Sequence, residues 1–544
     1  MTTGERISNV DNAWLRMDRP HNRMVIHGVM TFDKPHDMRR LARTYEARFA
    51  SYPRFHQFPV EEASGSVWVT DEHFSIERHL HRVTLPGKVG PAQLKRFISK
   101  LIPQPFEGDR PWWHVYYVDN YESGAALVTR IHHCYADGIA LIGVLLGMTD
   151  DTPNAPMPKL PKASRRKRLP GAGKSVVPPL AHFIEPLGDV LDRAIRVSGD
   201  VVDKSIDVLR EPTHVIDYAR TAARITNDAA ALALMPNDSR TRFKGKPGTE
   251  KRMAWSAKLP LDEVKAISHA LDCSVNDVLL ACVAGALREY LAEKGDATKG
   301  VECRAMVPVN LRPPGPAETL GNYFGLAPLL LPVGIANPLK RVYEVSARMT
   351  ELKDSFTPAL ALGLLGLMGV VPKFAQEQIL QLMASKTTAV MTNVPGPQKP
   401  LYLAGREIRE QMFWVPQSGN VGMGVSIFSY NGSVQFGVIT DAKLVPDPEH
   451  LIEEFQAELE KLLLAVLMEP FDEKRPPSLV ERALARANAR WQRLRELTAP
   501  PRPPALPAPA PGTNGEHAPK PSPKARKAAR RAPGRRAARA SGVK

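Results

Sequence analysis

The segment His132-His133-Cys134-Tyr135-Ala136-Asp137-Gly138 places two adjacent histidines, a carboxylate and a glycine within seven residues. Imidazole, with an unperturbed pKa of about 6.5, can take a proton from a hydroxyl at neutral pH and return one to a leaving group. A hydroxyl attacks poorly without such help, so His133 is a candidate general base for moving an acyl group onto an alcohol. Asp137 would support the loop, and Gly138 would allow a close turn that a Cβ blocks. The same pair of histidines also suits a metal site or a loop in which both rings are hydrogen-bonded, because short motifs recur by chance. Of these the metal reading is the weaker. Adjacent side chains on a strand point to opposite faces, and no His-x-x-x-His spacing or neighbouring Cys/Glu set completes a site.

The flanking residues say how the motif is held. An apolar strand over 125–130 delivers the histidines to a loop, and the apolar run 138–146 predicts a buried helix after it. A strand over 113–119 precedes them, so the first part of the chain alternates strand and helix patterns as an α/β unit, residues 1–150. Residues 151–180 form a basic, Pro-rich linker, and apolar spacings of three and four within 181–245 predict a helical crossover. A second α/β unit spans 246–470. It opens with a strand and with helices over 262–271 and 275–294, the latter started by a Ser274-x-x-Asp277 capping pattern. Strands follow over 305–309, 327–331, 389–394, 411–415, 421–430 and 434–440, and Asn431-Gly432 predicts a tight hairpin between the last two. A helix over 449–468 closes the unit, a helical extension covers 471–499, and the Pro/Ala/Arg-rich stretch 500–544 is expected to be disordered.

With 544 residues and 43% hydrophobic content the chain can build two cores. The net charge of +16 would suit a polyanion, but residues 501–544 carry +10 and residues 151–180 carry +6. The excess therefore belongs to a tail and a linker, and no specific nucleic-acid partner is expected. Four cysteines without paired spacing fit a reducing compartment. No signal-peptide pattern opens the chain, and the apolar run 359–371 is too short to cross a bilayer.

Beyond the motif, several stretches taken in order resemble the wax ester synthase/diacylglycerol acyltransferase family. They are Asn9-Val10-Asp11-Asn12-Ala13-Trp14-Leu15, Arg110-Pro111-Trp112-Trp113, the His132-to-Gly138 motif and Val275-Asn276-Asp277, followed by Pro308-Val309-Asn310-Leu311-Arg312, Leu320-Gly321-Asn322-Tyr323-Phe324-Gly325 and Thr392-Asn393-Val394-Pro395-Gly396-Pro397. The resemblance implies two chloramphenicol-acetyltransferase-like α/β domains with an active-site channel between them. It implies acyl-CoA as donor, diacylglycerol or a long-chain alcohol as acceptor, and no separate cofactor or metal. His133 would be the base, His132 a shaper of the loop, and Asp137 a brace paired with an arginine. The expected partner position carries His56, leaving Arg54 or a histidinium as substitutes. Asn276, Asp277, Pro111, Trp112 and Trp113 are candidate substrate-binding residues; for Asp277 a helix cap, and for the tryptophans core packing, are the plainer readings. Lipid acceptors partition into membranes, so a cytoplasmic protein resting on the inner membrane face or on lipid bodies through its basic linker and tail is expected. The alternatives are a condensation-type or other alcohol acyltransferase with a carrier-bound donor or non-lipid acceptor, and a lipid-binding protein that has lost turnover.

Overall fold

The computed structural model describes residues 4–62, 65–160, 228, 231, 232, 234–312, 320–353 and 355–468. Most of the 151–180 linker and of the 181–245 crossover, together with the 471–499 extension and the 500–544 tail, lie outside these residues.

The first half is organised around a seven-stranded sheet of order β5-β6-β7-β2-β15-β14-β8. Its strands are β2 (Val25–Phe32), β5 (Leu80–Val83), β6 (Trp113–Tyr121), β7 (Gly124–His132), β8 (Thr149–Asp150), β14 (Tyr402–Leu403) and β15 (Arg406–Trp414). A small sheet, β1 (Glu5–Arg6), β4 (Gly65–Thr70) and β3 (Gln57–Glu62), flanks it. Helices α1 (Asn9–Met17), α2 (Met38–Thr44), α3 (Pro91–Leu101) and α4 (Gly138–Met148) complete this half. Trp113, Leu127, Val128 and Trp414 are fully buried in its core.

A second seven-stranded sheet holds β9 (Lys251–Trp255), β10 (Leu259–Pro260), β11 (Cys303–Asn310), β12 (Phe324–Leu331), β13 (Ala389–Pro395), β16 (Met423–Tyr430) and β17 (Ser433–Asp441). The path runs β10-β17-β16-β13-β11-β12, and β9 pairs with β17. Helices α5 (Leu261–Ala270), α6 (Val275–Glu293), α7 (Pro338–Lys353) and α10 (Pro448–Met468) cluster around a separate core that contains Val283, Tyr290, Phe436 and Phe455. Arg341 and Glu458 pair inside it. Helices α8 (Thr357–Met368) and α9 (Lys373–Ser385) follow α7. The Asn431-Gly432 turn has φ of 46° and 73°, which is what a tight primed hairpin turn requires, and it joins β16 to β17 in the register Tyr430↔Ser433. Among the described residues the fold is thus mixed α/β, with two seven-stranded sheets, one small three-stranded sheet and two cores.

Two sequence expectations change. The strand expected over 411–415 in the second unit is β15, and it leaves that unit to pair with β2 of the first sheet, Met412 opposite Val29 and Trp414 opposite His27. Its buried side chains Ile408, Met412 and Trp414 join the first core, so the exchange buries them there. The helix expected over 138–146 forms, but it is not buried all round. Only Ala140, Val144 and Met148, one stripe at four-residue spacing, are buried, while Ile139 is 41% and Leu146 43% exposed.

Candidate functional site

The motif begins where β7 stops. His132 N–H still donates to the carbonyl of Trp112 at 3.0 Å, and His133 N–H donates to Met24 O at 2.7 Å. The chain then turns, with Tyr135 N–H on His132 O at 3.1 Å, and enters α4. His132 Nδ1 accepts from Cys134 N–H at 3.2 Å, which puts its proton on Nε2, 3.8 Å from Asp18 Oδ1. Its ring lies edge-on to Trp112, with centroids 5.1 Å apart. His132 therefore braces the loop from inside.

His133 faces a different environment. Its ring stacks on Trp14 of α1 at 4.3 Å and lies 5.8 Å from Phe324 of β12. Asn322 Nδ2 donates both to His133 O at 2.8 Å and to Asp11 Oδ1 at 2.7 Å, tying the motif to α1. Burial lowers the pKa of His133 to about 4 against the opposing charge of Asp137, and burial likewise lowers His132 to about 4 against that of Asp18. Both rings are neutral at pH 7. Burial raises Asp11 to about 6 although Asn322 and Ser8 hydrogen-bond it.

Asp137 is the N-cap of α4, its Oδ1 accepting from Ala140 N–H at 2.8 Å. Its Oδ2 accepts from Tyr323 N–H at 2.9 Å and from Arg312 Nη2 at 3.0 Å. Arg312 also donates to Gly321 O at 3.1 Å and lies over the Tyr323 ring. The arginine partner is thus Arg312, from the second half, and the expectation of Arg54 or His56 is corrected. Arg54 pairs with Glu5 at 3.1 Å and lies over Trp68, and the His56 ring contacts Ala50 O at 2.6 Å. Both are engaged elsewhere.

The remaining candidates separate. Trp113 is fully buried, stacked on His79 at 4.1 Å with Nε1–H on Phe55 O at 2.9 Å, and Pro111 is buried beside it. These are core positions. Trp112 is half-buried against His132, its N–H on Tyr135 Oη at 2.9 Å. Asp277 closes the capping box of α6 with Ser274, and Asn276 Oδ1 accepts from Asn393 Nδ2 at 2.8 Å. Asn276 thus bonds Asn393 and Asp277 bonds Ser274, while His133 packs against Trp14 and Phe324 and is bonded by Asn322. Gly138 opens α4, but a Cβ there would lie 3.7 Å from Phe413, an ordinary contact, so the close turn expected to exclude a Cβ is not what the structure requires at this position. Trp14, Arg312, Asn322 and Phe324 lie within stretches that resemble the family, but spacing alone gives them no role. Among the described residues no group of three or more His, Cys, Asp or Glu side chains is placed to hold a metal ion. No single helix among them is long and apolar enough to cross a membrane.

Residues 7–279 match the model of the wax ester synthase/diacylglycerol acyltransferase catalytic domain, and residues 320–463 match that of the WS/DGAT C-terminal domain. A Mycobacterium tuberculosis protein named as a diacylglycerol O-acyltransferase is 28% identical over 389 residues, 71% of this chain and 78% of its own. A second protein of that organism with the same activity in its name is 26% identical, covering 84% of this chain and 90% of its own. Among solved structures, the wax ester synthase/diacylglycerol acyltransferase of Marinobacter aquaeolei VT8 superposes with a TM-score of 0.58 at 20% identity, over 85% of this chain and 99% of its own. The first condensation domain of the calcium-dependent antibiotic synthetase superposes with a TM-score of 0.52 at 14% identity, over 87% and 99%. These two likenesses concern the fold.

Proposed function

The chain belongs to the wax ester synthase/diacylglycerol acyltransferase family, and on that premise we propose that it transfers a fatty acyl group from acyl-CoA to diacylglycerol or a long-chain alcohol, giving triacylglycerol or a wax ester. The observation that carries His133 as base is its state: a neutral imidazole at pH 7, its backbone tied at N–H and carbonyl and its ring stacked on Trp14. The acceptor hydroxyl loses its proton to His133 as its oxygen attacks the thioester carbonyl. The tetrahedral intermediate collapses with cleavage of the C–S bond, and the imidazolium returns the proton to the departing thiolate. The Asp137 carboxylate, whose charge opposes the effect of burial on His133, favours that transient imidazolium. Its bonds to Arg312 and Tyr323 support a bracing role for Asp137, with His132 shaping the loop.

The test is incubation with labelled palmitoyl-CoA and either hexadecanol or dioleoylglycerol, following free thiol and neutral lipid. Product with at least one acceptor is expected, and no turnover with either would remove the lipid reading. His133→Ala should lower turnover about a thousandfold while acyl-CoA still binds; a fully active variant would remove the mechanism. For location, the concentration of the +16 charge in 151–180 and 501–544 supports residence on the cytoplasmic face of an anionic membrane or lipid body. Deleting residues 501–544 should weaken binding to anionic liposomes and preserve turnover on dispersed substrate. Unchanged liposome binding would exclude the tail from that role.

A further inference from the structure

A cavity of about 90 Å³ lies between α4 and the first sheet. Its floor follows from strand alternation: Ile26, Gly28 and Met30 share one face of β2, and in register Phe413 of β15, Gly28 and Thr129 of β7 form one row across three strands. The middle residue of that row has no side chain. The roof is α4, whose sequence is apolar throughout, with Leu141, Ile142 and Leu145 turned toward the gap. Ile131 and Gly138, which flank the 132–137 loop on either side, both border the cavity, so one end of it lies beside the loop that carries His133. Ile142 also borders an open groove of about 650 Å³ shared with Leu146, Pro395 and Lys399. A mostly apolar slot under an apolar helix, with Tyr45, Thr129 and Gln411 as its polar lining, bordered by the residues that flank the motif loop and by Ile142 of the open groove, suits an alkyl chain.

We infer that this slot is the subsite for the alkyl chain of a lipid substrate and that Gly28, by lacking a side chain, sets the chain length it admits. The inference rests on the acyl-transfer reading above. A Cβ on Gly28 would meet its nearest atoms, Thr129 Cβ and Met412 O, at 3.8 and 3.9 Å, ordinary contact distances, so Gly28→Val projects its methyls into the slot without striking backbone. Valine also suits an extended strand.

The experiment compares wild type and Gly28→Val in two arms: palmitoyl-CoA against octanoyl-CoA with hexadecanol fixed, and hexadecanol against octanol with palmitoyl-CoA fixed. In the arm whose chain occupies the slot, the long-to-short ratio of kcat/KM should fall about tenfold, the equivalent of two methylenes left unburied. The other ratio should hold, which identifies the chain as the donor's or the acceptor's. Unchanged ratios in both arms from a variant that melts with wild type would overturn the assignment. Should Gly28→Val fail to fold, Gly28→Ala decides in the same way with a smaller expected change. If wild type turns over no pair, the acyl-transfer reading fails, and equilibrium dialysis of labelled palmitoyl-CoA and of labelled hexadecanol against the two proteins tests the slot alone: weaker binding of either by the variant supports it, equal binding of both overturns it.

Discussion

His133 is uncharged at neutral pH because burial outweighs the pull of Asp137. With a pKa of about 4 rather than about 6.5, its protonation cannot shape the rate in the neutral range. The acidic limb of kcat/KM is therefore expected below pH 5, with a plateau from pH 6 to 8, measured by brief pH jumps that precede unfolding; a limb at pH 6.5 would show that the base titrates as if exposed. Arg312 carries the next expectation. Its side chain and that of Asp137 are both largely buried, so Arg312→Ala leaves a carboxylate short of its cation, at a cost of about 3 kcal/mol. Denaturant unfolding and kcat should both fall. Arg312→Lys should sit between, because an ammonium keeps the charge but loses the planar guanidinium's seat over the Tyr323 ring. Stability equal to wild type in Arg312→Ala would show that the tie carries no weight. Sequence spacing made His133 and Asp137 legible because they share one short loop. Arg312 was not legible as the partner: it stands 175 residues from Asp137, and no local pattern encodes a contact across that separation.

At the scale of elements, helix α8 is held at both ends by backbone that passes too close for a side chain. A Cβ on Gly325 of β12 would lie 1.7 Å from Pro358 O at the start of α8, and one on Gly369, its C-cap, would lie 1.8 Å from Asn9 O at the start of α1. Backbone cannot rotate away as a side-chain tip can. Gly325→Ala should therefore cost about 2 kcal/mol, read by thermal melting, and should lower kcat because the adjacent Phe324 packs beside His133. An unchanged melting temperature would mean that β12 and α8 separate freely. Periodicity located most elements to within a few residues, including β11, β13, β16, β17 and α10, because each alternates or repeats its own apolar positions. It could not tell which sheet β15 would join. Alternation marks Ile408, Met412 and Trp414 as the face to be buried but not the sheet it is buried against, and that choice is made by the first core, which these residues fill. The half-exposed face of α4 was hidden for a related reason: a helix apolar all round reads as buried, and only the folded chain reveals a slot on one side and solvent on the other.

For the molecule as a whole, the strongest electrostatic signature is a set of histidines buried as neutral rings. Burial lowers His27 and His114 to about 3 and His36, His79, His132 and His133 to about 4; Arg130 adds to the effect at His27, and His79 and His81 add to it at His114. A histidine whose folded pKa lies below its unfolded value favours the native state while both states are neutral, so this stability is complete above about pH 6.5. It is lost as pH falls toward 4, where the unfolded chain takes up protons that the folded chain refuses. Asp11 acts in the opposite sense: raised to about 6 by burial, it contributes below the usual carboxylate pKa and loses that contribution as pH rises through 6. Burial raises Glu410 in the same sense as Asp11, and these two carboxyls oppose the six rings together with His21 and His81, which burial also lowers. Each proton taken up only on unfolding changes stability by about 1.4 kcal/mol per pH unit, and a few such protons acting together exhaust a typical stability of about 5–15 kcal/mol. The melting temperature should therefore be flat from pH 8 to 7, decline below 6.5, and give way to cooperative acid unfolding near pH 5. His27→Phe, which keeps a ring but removes one titration beside Arg130, should raise the melting temperature more at pH 5.5 than at pH 7.5. A melting temperature independent of pH between 7 and 5 would show that these rings reach water and take up protons in the folded state, and with that the neutral state of His133 on which its role as base depends would have to be abandoned.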